Sequence, residues 1–336
     1  MTALLEIEHL RVLLQSDGVR REVVRDVSLT ISAGESVGLV GESGSGKSMT
    51  ARSILRLLPG DAVISGSIRL DGREVLELTL SELRSMRNSD TAMIFQDPRA
   101  HINPLHTIGS FLTEGLRVND GLSSRAATTR ARELLDIVRI SDPDRRLRQY
   151  PHELSGGMLQ RVMIAAALAS KPRLLLADEP TTALDVTTQA EVMAILSELR
   201  RDSGLAILFI THDLELAAAT CDRTAVMYAG SIVEDQPSEA LRSAPRHPYT
   251  AALLASRPML DAPADRLAVI AGRAVAAFEA PTGCAFHPRC HHAIDECRVM
   301  EPKLVTTGSL HVACLRVRGT NGSAPFDHHD GAVCDE

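Results

Sequence analysis

The stretch that decides the fold is Gly41-Glu42-Ser43-Gly44-Ser45-Gly46-Lys47-Ser48. It matches the pattern G-x-x-x-x-G-K-[ST], in which glycines let successive backbone N–H groups converge on phosphates. A short apolar run, Ser36–Val40, precedes it, and residues 49–58 follow it with helical spacing before Pro59-Gly60. Strand, glycine-rich loop and helix in this order predict an α/β fold with a phosphate-binding loop. The alternative is a flexible Gly/Ser turn.

The residue types within this loop fit phosphate and magnesium chemistry. Lys47 is placed to reach terminal phosphates, and the hydroxyl of Ser48 is placed to ligate Mg²⁺. The positive end of the following helix favours the same anion. We therefore predict that the whole loop binds the phosphates of a nucleotide. The residues that line this predicted cradle are Gly41, Glu42, Ser43, Gly44, Ser45 and Gly46.

Two carboxylates, Asp178 and Glu179, directly follow a second apolar run, Leu174-Leu175-Leu176-Ala177. Ligands of open α/β sheets bind at the carboxyl ends of the strands, where these carboxylates fall. We predict that Asp178 holds Mg²⁺ through its coordination shell. Glu179 is then placed to orient or deprotonate the water that attacks in phosphoryl transfer. The alternative for this segment alone is a solvated acidic turn.

The rest of the chain divides by the spacing of its apolar residues. Residues 1–35 alternate apolar and polar side chains, which predicts half-buried antiparallel strands. Residues 98–169 are mostly helical in pattern and form an insert, and the apolar run at 205–210 predicts another buried parallel strand. Individual helices are predicted at 107–118, 123–140, 156–169 and 187–201.

Composition and charge exclude several classes of protein. With 36 Lys+Arg, 43 Asp+Glu and a net charge of −7, the chain lacks a basic stripe, so no nucleic-acid partner is expected. No run approaches the roughly 20 apolar residues that cross a bilayer. A secretory leader has a basic region followed by an apolar region, but the start of this chain carries the acidic residues Glu6 and Glu8. We therefore expect a soluble, cytoplasmic α/β protein.

A third motif points to a family. Leu154-Ser155-Gly156-Gly157-Met158-Leu159-Gln160-Arg161 lies shortly before the acidic strand and resembles the signature of ATP-binding cassette (ABC) ATPases. Gln96 resembles that family's Q-loop, Asp185 in Ala183-Leu184-Asp185 its D-loop, and His212 its switch histidine. Taken alone, such a Gln is usually a surface residue and such a His a structural one. Together the motifs follow the family's order over residues 36–213.

The resemblance implies an ABC ATPase nucleotide-binding domain: a P-loop α/β core, an antiparallel β subdomain and a helical subdomain at about 98–169. It implies ATP and Mg²⁺ as ligands, with Glu179, His212 and Gln96 as catalytic residues. Ser48, Gln96 and Asp178 are implied as the Mg²⁺ site. The residues implied to act on ATP held by a partner subunit are Ser155, Gly156, Gly157 and Asp185.

One departure from the family concerns the adenine base. Family members commonly stack the base on an aromatic residue about thirty positions before the phosphate loop, yet residues 1–94 contain no Phe, Tyr or Trp. Leu14 or a neighbour occupies that stretch, and Arg20 or Arg21 is an alternative cover for the ring. Stacking contributes about 1 kcal/mol, so we expect weaker nucleotide affinity or base selectivity.

The chain beyond His212, together with the Q-loop region, resembles one branch of this family, the ATPase subunits of dipeptide, oligopeptide and nickel importers. The resemblance rests on Phe95-Gln96-Asp97-Pro98, Pro245-Arg246-His247-Pro248-Tyr249-Thr250 and Gly283-Cys284-Ala285-Phe286-His287-Pro288-Arg289-Cys290. It implies a peripheral subunit on the cytoplasmic face of the plasma membrane. Its implied partners are two membrane permease subunits, a second similar ATPase and an extracytoplasmic solute-binding protein.

The branch also implies a division of the chain. We expect an ABC ATPase domain at 1–244, a C-terminal extension at 245–318 and a disordered tail at 319–336. The alternatives are a nickel or other small-solute importer of the same family, an ABC ATPase of DNA repair or translation, and an ATP-binding module without turnover. Repair proteins typically carry a long coiled coil or two cassettes, and this chain has one phosphate loop and no sustained heptad.

The expected extension is rich in cysteine. A disulfide is not expected in a cytosolic ATPase, so metal ligation or core packing remains. The spacing lacks the close C-x-x-C pairs of structural zinc sites, although His287, His291 and His292 are possible substitutes. The resemblance implies that four thiolates hold a four-iron four-sulfur (4Fe-4S) cluster, with zinc or plain packing as alternatives. These thiolates are Cys284, Cys290, Cys297 and Cys314.

Overall fold

The structure is a computed structural model that describes residues 3–16, 18–182, 184–256 and 270–317. The chain forms two compact units, each assembled from separate segments. The first unit holds the chain up to Leu4, Ile31–Glu35 and Glu77–Ile210; the second holds Leu5–Thr30, Ser36–Leu76 and the chain from Thr211 onward. The expected tail at 319–336 lies outside the described residues, and so does Ala183 of the expected D-loop.

Strands and helices alternate through much of the chain. The strands are β1 (Ala3–Ser16), β2 (Val19–Ser32), β3 (Ser36–Val40), β4 (Val63–Leu70), β5 (Arg73–Glu74), β6 (Thr91–Ile94), β7 (Leu174–Asp178), β8 (Ala206–Thr211), β9 (Arg223–Tyr228), β10 (Ser231–Pro237), β11 (Val305–Thr307) and β12 (Leu310–Val312). The helices are α1 (Lys47–Ile54), α2 (Leu80–Ser89), α3 (Pro98–His101), α4 (Ile108–Val118), α5 (Ser124–Ile137), α6 (Pro143–Arg146), α7 (Gly156–Leu168), α8 (Val186–Ser203), α9 (Leu214–Thr220), α10 (Ser238–Ser243) and α11 (Pro248–Ala255).

In the first unit β7 lies between β6 and β8, and all three strands are parallel. Every residue of β7 is buried, which is why its sequence is a continuous apolar run rather than an alternating one. Its register places Ala177 beside Ile94 on one side and Phe209 on the other. The predicted parallel strands at 174–177 and 205–210 are therefore confirmed.

The helical insert also belongs to the first unit, where α5 packs against α4 and α7. The side chains of Thr107 and Ser123 cap α4 and α5 by accepting hydrogen bonds from backbone N–H groups. The predicted end of α5 at 140 is wrong. The helix ends at Ile137 because Arg139 takes a left-handed conformation, with φ of 57°. No helix among the described residues has the length and apolar character needed to cross a bilayer.

In the second unit β1, β2, β4 and β5 form one sheet in the order β2-β1-β4-β5. Strand β1 is antiparallel to β4, and Leu5 and Ile7 are buried while Glu8 is exposed, as the alternating pattern predicts. The alternation is interrupted at His9, which has φ of 51°, and the register with β4 shifts between Glu8 and Arg11. This bulge bends the strand without changing which face is buried.

The second unit contains another run of strands, in the order β11-β12-β10-β9-β3. Strand β3 is parallel to β9, and the remaining neighbours are antiparallel. The phosphate loop leaves the carboxyl end of β3 and leads into α1. The predicted end of α1 at 58 is wrong: the helix ends at Ile54, because Arg56 is left-handed with φ of 50° and Leu57 N donates back to Arg52 O.

Candidate active site

The lysine of the phosphate loop hydrogen-bonds to the backbone of the same loop. Lys47 is 5% exposed, and its Nζ donates hydrogen bonds to Gly41 O at 2.8 Å and Glu42 O at 3.0 Å. Ser48 is half-buried in the first turn of α1. The loop therefore presents a fixed ammonium and a helical hydroxyl side by side in sequence, which is the pair needed for phosphate and Mg²⁺.

The glycines of the loop are needed for steric reasons. A Cβ at Gly41 lies 2.1 Å from Met227 O, and a Cβ at Gly46 lies 2.7 Å from Val23 O, so neither position accepts a side chain. Gly46 also has φ of 103° and caps α1 without a side-chain hydrogen bond. The first turn of α1 contains no acidic residue. The helix dipole thus faces the loop without a neutralising carboxylate, which fits a bound phosphate.

The carboxylates that follow β7 occupy different environments. Asp178 is 1% exposed at the end of the strand, and Glu179 is half-buried just beyond it. Glu179 Oε2 accepts hydrogen bonds from Gln96 Nε2 at 3.0 Å and from Thr182 Oγ1 at 2.8 Å. Two donors on one oxygen hold the Glu179 carboxylate in a single orientation. Thr182 was not among the predicted site residues.

The backbone of Glu179 departs from the strand. Its φ is 49°, in the left-handed region, and its N–H donates to Ile210 O at 2.9 Å. A non-glycine residue pays a conformational cost in this region, and such residues are concentrated at functional sites. The turn takes Glu179 out of the alternating side-chain directions of β7. Its side chain instead lies against Gln96, which follows β6.

The signature segment forms the start of α7. Ser155 caps the helix by accepting a hydrogen bond from Met158 N at 3.3 Å, and Ser155 and Gly156 are exposed. Asp185 caps α8 in the same way, accepting from Thr188 N at 3.0 Å and Thr188 Oγ1 at 2.7 Å. These hydrogen bonds hold the pKa of Asp185 below its usual value. A Cβ at Gly157 lies 2.3 Å from Thr188 Cγ2, so Thr188 lies between the two helix starts.

The predicted site residues divide between the two units. The first unit holds Gln96, Asp178 and Glu179 in one group, together with the signature residues and Asp185. The second unit holds the phosphate loop and His212. His212 is exposed directly after β8, next to Asp213, whose side chain caps α9 by accepting from Leu216 N at 2.8 Å.

Arg21, which we expected as one alternative for lying over the adenine ring, packs against an aromatic side chain. Its guanidinium carbon lies 4.8 Å from the ring centroid of Phe278, and Phe278 is 45% exposed. This aromatic residue comes from the far end of the chain, where no local pattern could have linked it to the phosphate loop.

Within the second unit the phosphate loop is bound to the C-terminal region. Arg289 forms a two-pronged ion pair with Glu42, and Tyr249 Oη accepts a hydrogen bond from Glu42 N at 3.0 Å. Neither Arg289 nor Tyr249 was among the predicted site residues. Both lie in segments that the sequence singled out only for their resemblance to one family branch.

The expected metal site forms a small enclosed cavity in the second unit. Cys297 is buried and the other three cysteines are half-buried, and all four are free thiols. Burial raises the pKa of Cys284 to about 11 and that of Cys290 to about 12, with the neighbouring thiols adding to both. Among the described residues, no three His, Cys, Asp or Glu side chains are arranged to hold one metal ion. The cavity is lined by Cys284, Cys290, Cys297 and Cys314, with His247, Phe286, His287 and His292 among its other residues.

A fully buried carboxylate lies beside this region. Glu234 accepts hydrogen bonds from Arg246 N at 2.7 Å, His247 N at 2.9 Å and Gln236 Nε2 at 2.8 Å. Burial raises the pKa of Glu234 to about 7 and lowers the pKa of His247 to about 3. These groups organise the turn into α11, which carries Tyr249.

Comparison with known sequences agrees with both the cassette and the C-terminal region. The ABC transporter family matches residues 24–182, and the family described as oligopeptide/dipeptide transporter, C-terminal region, matches residues 233–297. The oligopeptide transport ATP-binding protein OppD of Salmonella typhimurium is 44% identical over 93% of each chain. The dipeptide transport ATP-binding protein DppD of Haemophilus influenzae is 42% identical over 93% of this chain and 95% of that protein.

A solved structure gives the same fold. The dimeric structure of the ATP-binding cassette MJ0796, in a post-hydrolysis state bound to ADP and Pi, covers 70% of this chain and 98% of that one. Its TM-score is 0.63 and its identity is 28%.

The fold and its nucleotide motifs define an ABC ATPase, an enzyme that binds ATP and hydrolyses it to drive transport. Within this class, the chain belongs to the ATP-binding subunits of the oligopeptide/dipeptide importer family. The resemblance and the fold class predicted from the motifs are confirmed.

Proposed function

We propose that this chain is the peripheral subunit that hydrolyses ATP on the cytoplasmic face of the plasma membrane to power import of di- and oligopeptides. It docks on two membrane permease subunits, pairs with a second similar ATPase and works with an extracytoplasmic solute-binding protein. One observation carries the proposal: the likeness to peptide-transport subunits extends over 93% of the chain and through the C-terminal region.

We assign the phosphate loop to the phosphates of ATP and the acidic strand to Mg²⁺. Lys47 would bind the terminal phosphates, and Ser48, Asp178 and Gln96 would hold Mg²⁺, which would neutralise charge on the phosphates. The fixed ammonium of Lys47, the absence of an acidic residue from the first turn of α1 and the buried carboxylate of Asp178 support these roles.

Glu179 acts on the water that attacks the terminal phosphorus. The water oxygen forms the new P–O bond while the bond to ADP breaks, and Glu179 takes the proton that the water loses. The hydrogen bonds from Gln96 and Thr182 to Glu179 Oε2 support this role, because they fix the carboxylate before the water is bound. His212, which is exposed directly after β8, takes the switch-histidine role that the resemblance implies.

The signature helix serves a second subunit. The exposed start of α7 presents Ser155, Gly156 and Gly157 to the ATP of a partner chain, where the positive helix end meets the terminal phosphate. Asp185 lies at the start of α8, next to this surface through Thr188. Hydrolysis therefore needs two cassettes arranged head to tail.

The four-cysteine cavity holds a 4Fe-4S cluster. Four thiols that ligate one zinc ion must lie about 2.3 Å from a common centre, whereas a cubane separates them further. The four thiols line one cavity, which supports a shared ligand, and the resemblance to the peptide-importer branch favours the cluster over zinc. The cavity contains none of the hydrolysis motifs, so the cluster stabilises the C-terminal region and supplies no step of ATP hydrolysis.

Transport in a defined system tests the function. The chain is co-expressed with permease subunits and a second ATPase of the same family, and the complex is reconstituted in vesicles with a solute-binding protein. We expect ATP-dependent uptake of labelled di- or oligopeptides. Uptake should be lost when Glu179→Gln in this chain is combined with the corresponding substitution in the second ATPase. ATP-dependent uptake of nickel without uptake of peptide would assign the complex to the other substrate class of the family.

A further inference from the structure

The phosphate loop is linked to the C-terminal region by an ion pair between a buried arginine and a half-buried glutamate. Arg289 Nη1 lies 2.7 Å from Glu42 Oε2, and Arg289 Nη2 lies 3.1 Å from Glu42 Oε1. The side chain of Arg289 is 5% exposed and that of Glu42 is 25% exposed. Two parallel N–H···O bonds fix both the distance and the angle between a guanidinium and a carboxylate.

Glu42 is the second residue of the phosphate loop, and its backbone is held as firmly as its side chain. Its carbonyl oxygen accepts a hydrogen bond from Lys47 Nζ at 3.0 Å. Its N–H donates to Tyr249 Oη at 3.0 Å. A displacement of Glu42 therefore changes the position of the Lys47 ammonium, the group that meets the terminal phosphates.

Arg289 is itself anchored on three sides. Its Nε donates to Ala271 O at 2.8 Å, and its Nη1 lies 3.4 Å from Tyr228 Oη. Its guanidinium carbon lies 5.9 Å from the ring centroids of both Tyr228 and Phe286. The arginine thus transmits the packing of the C-terminal region to the loop, and it has no freedom to leave Glu42 for solvent.

We infer that Arg289 is a positioning residue for the phosphate loop, so that ATP affinity depends on the C-terminal region. It holds Glu42, and Glu42 in turn holds the ammonium of Lys47 in the place where the phosphates bind. This inference rests on the proposed role of Lys47. Removal of the guanidinium leaves the half-buried carboxylate of Glu42 without the partner that orients it, so we expect the loop to shift.

The test compares two arginines of the same region. Arg289→Gln removes the buried guanidinium, and Arg298→Gln removes an arginine whose side chain is 73% exposed. In the assembled complex we expect Arg289→Gln to raise the Kd and KM for ATP by about tenfold, with a smaller fall in kcat. Arg298→Gln leaves all three unchanged. An Arg289→Gln chain that folds and binds ATP within about twofold of wild type overturns the inference.

A double-mutant cycle separates positioning from general destabilisation. Glu42→Gln with Arg289→Gln is expected to cost no more ATP affinity than either change alone, because both break the same link. Additive losses contradict the link. Arg289→Lys keeps the charge but not the two-pronged geometry, so its Kd for ATP is expected to lie between those of wild type and Arg289→Gln. It replaces Arg289→Gln in the test if that variant fails to fold.

Lys47→Ala distinguishes failure of the inference from failure of the proposed function. If Lys47→Ala loses ATP affinity while Arg289→Gln and Arg289→Lys keep it, the loop binds ATP but Arg289 does not position it. If Lys47→Ala binds ATP as wild type does, the proposed role of the loop is itself wrong.

Discussion

Gln96 and Glu179 follow neighbouring strands and are joined by a hydrogen bond of 3.0 Å from Gln96 Nε2 to Glu179 Oε2. The parallel register of β6 and β7 pairs Ile94 with Ala177, so the segments beyond both strands emerge at one edge. The proposed water-activating carboxylate is thus oriented by a residue of the proposed Mg²⁺ site. The side chain of Gln96 is therefore one of the groups that fix the orientation of the Glu179 carboxylate.

Glu179→Gln is expected to bind ATP with near-normal affinity and to lower kcat by about a hundredfold or more. The amide keeps the shape of the side chain and loses the charge that accepts a proton from water. ATP binding and steady-state hydrolysis by the complex, with the substitution in both ATPases, check this. Near-normal hydrolysis by that complex would remove Glu179 from the catalytic role.

Thr182→Val is expected to lower kcat about fivefold without changing the KM for ATP, because it removes one of the hydrogen bonds that orient Glu179. The matched control is Thr128→Val, since the Thr128 hydroxyl bonds only to the backbone of its own helix, at Ser124 O. The two variants are compared in the same hydrolysis assay. Equal kcat values would mean that Gln96 alone suffices to orient the carboxylate.

Dilution of the purified ATPase is expected to lower its specific activity. Ser155 and its neighbours at the start of α7 act on ATP bound by another chain, so the dissociated chain lacks part of its site. Hydrolysis measured over a range of protein concentrations, alongside the molar mass in solution, checks this. A rate that stays constant for a proven monomer contradicts the head-to-tail arrangement.

Glu234 is expected to make folding stability fall as pH rises. Its pKa is raised from 4.5 to about 7 in the folded chain, so between these values the folded state binds more protons than the unfolded state. The free energy of unfolding of wild type relative to Glu234→Gln should therefore fall by about 3 kcal/mol between pH 4.5 and pH 8. His247 is common to both proteins and cancels.

Denaturant unfolding of the two proteins across this pH range measures the difference. Glu239→Gln, which changes an exposed carboxylate on α10, is the control. A constant difference between wild type and Glu234→Gln at every pH would show that the carboxylate titrates alike in both states.

Cys290→Ser is expected to bleach the protein and loosen the C-terminal region. Anaerobically purified wild type should be brown and contain about four irons per chain. Cys221→Ser, which alters a buried thiol outside the cavity, should keep both colour and iron. Iron analysis and visible absorption check this. Stoichiometric zinc without iron would favour the other metal, and absence of metal with unchanged stability would leave the cysteines as packing residues.

The parts of the fold that the sequence predicts are those with a local cause. Buried parallel strands are continuous apolar runs, so β3, β7 and β8 were recognisable, and capping side chains such as Thr107 and Ser123 locate helix starts within a residue. Helix ends were less predictable. Nothing in the apolar residues after Ile54 indicated that Arg56 would take a left-handed conformation.

The contacts that the sequence did not predict are long-range ones. No motif in the sequence marks Thr182, and only the folded turn shows its hydroxyl bonded to Glu179. Arg289 and Tyr249 meet Glu42 across 247 and 207 residues of chain, and no periodicity or motif records such a pairing. Residue types therefore predicted the chemistry of the site, while the groups that contact its residues became visible only in three dimensions.

The separation of Glu42 and Arg289 has a consequence for biosynthesis. Glu42 is translated 247 residues before Arg289, which at roughly 5–20 residues per second is an interval of about 10 to 50 seconds. Throughout that interval the nascent chain carries a phosphate loop whose second residue lacks its ionic partner. A polypeptide that ends before residue 289 therefore has every hydrolysis motif, but it lacks the arginine that pairs with Glu42.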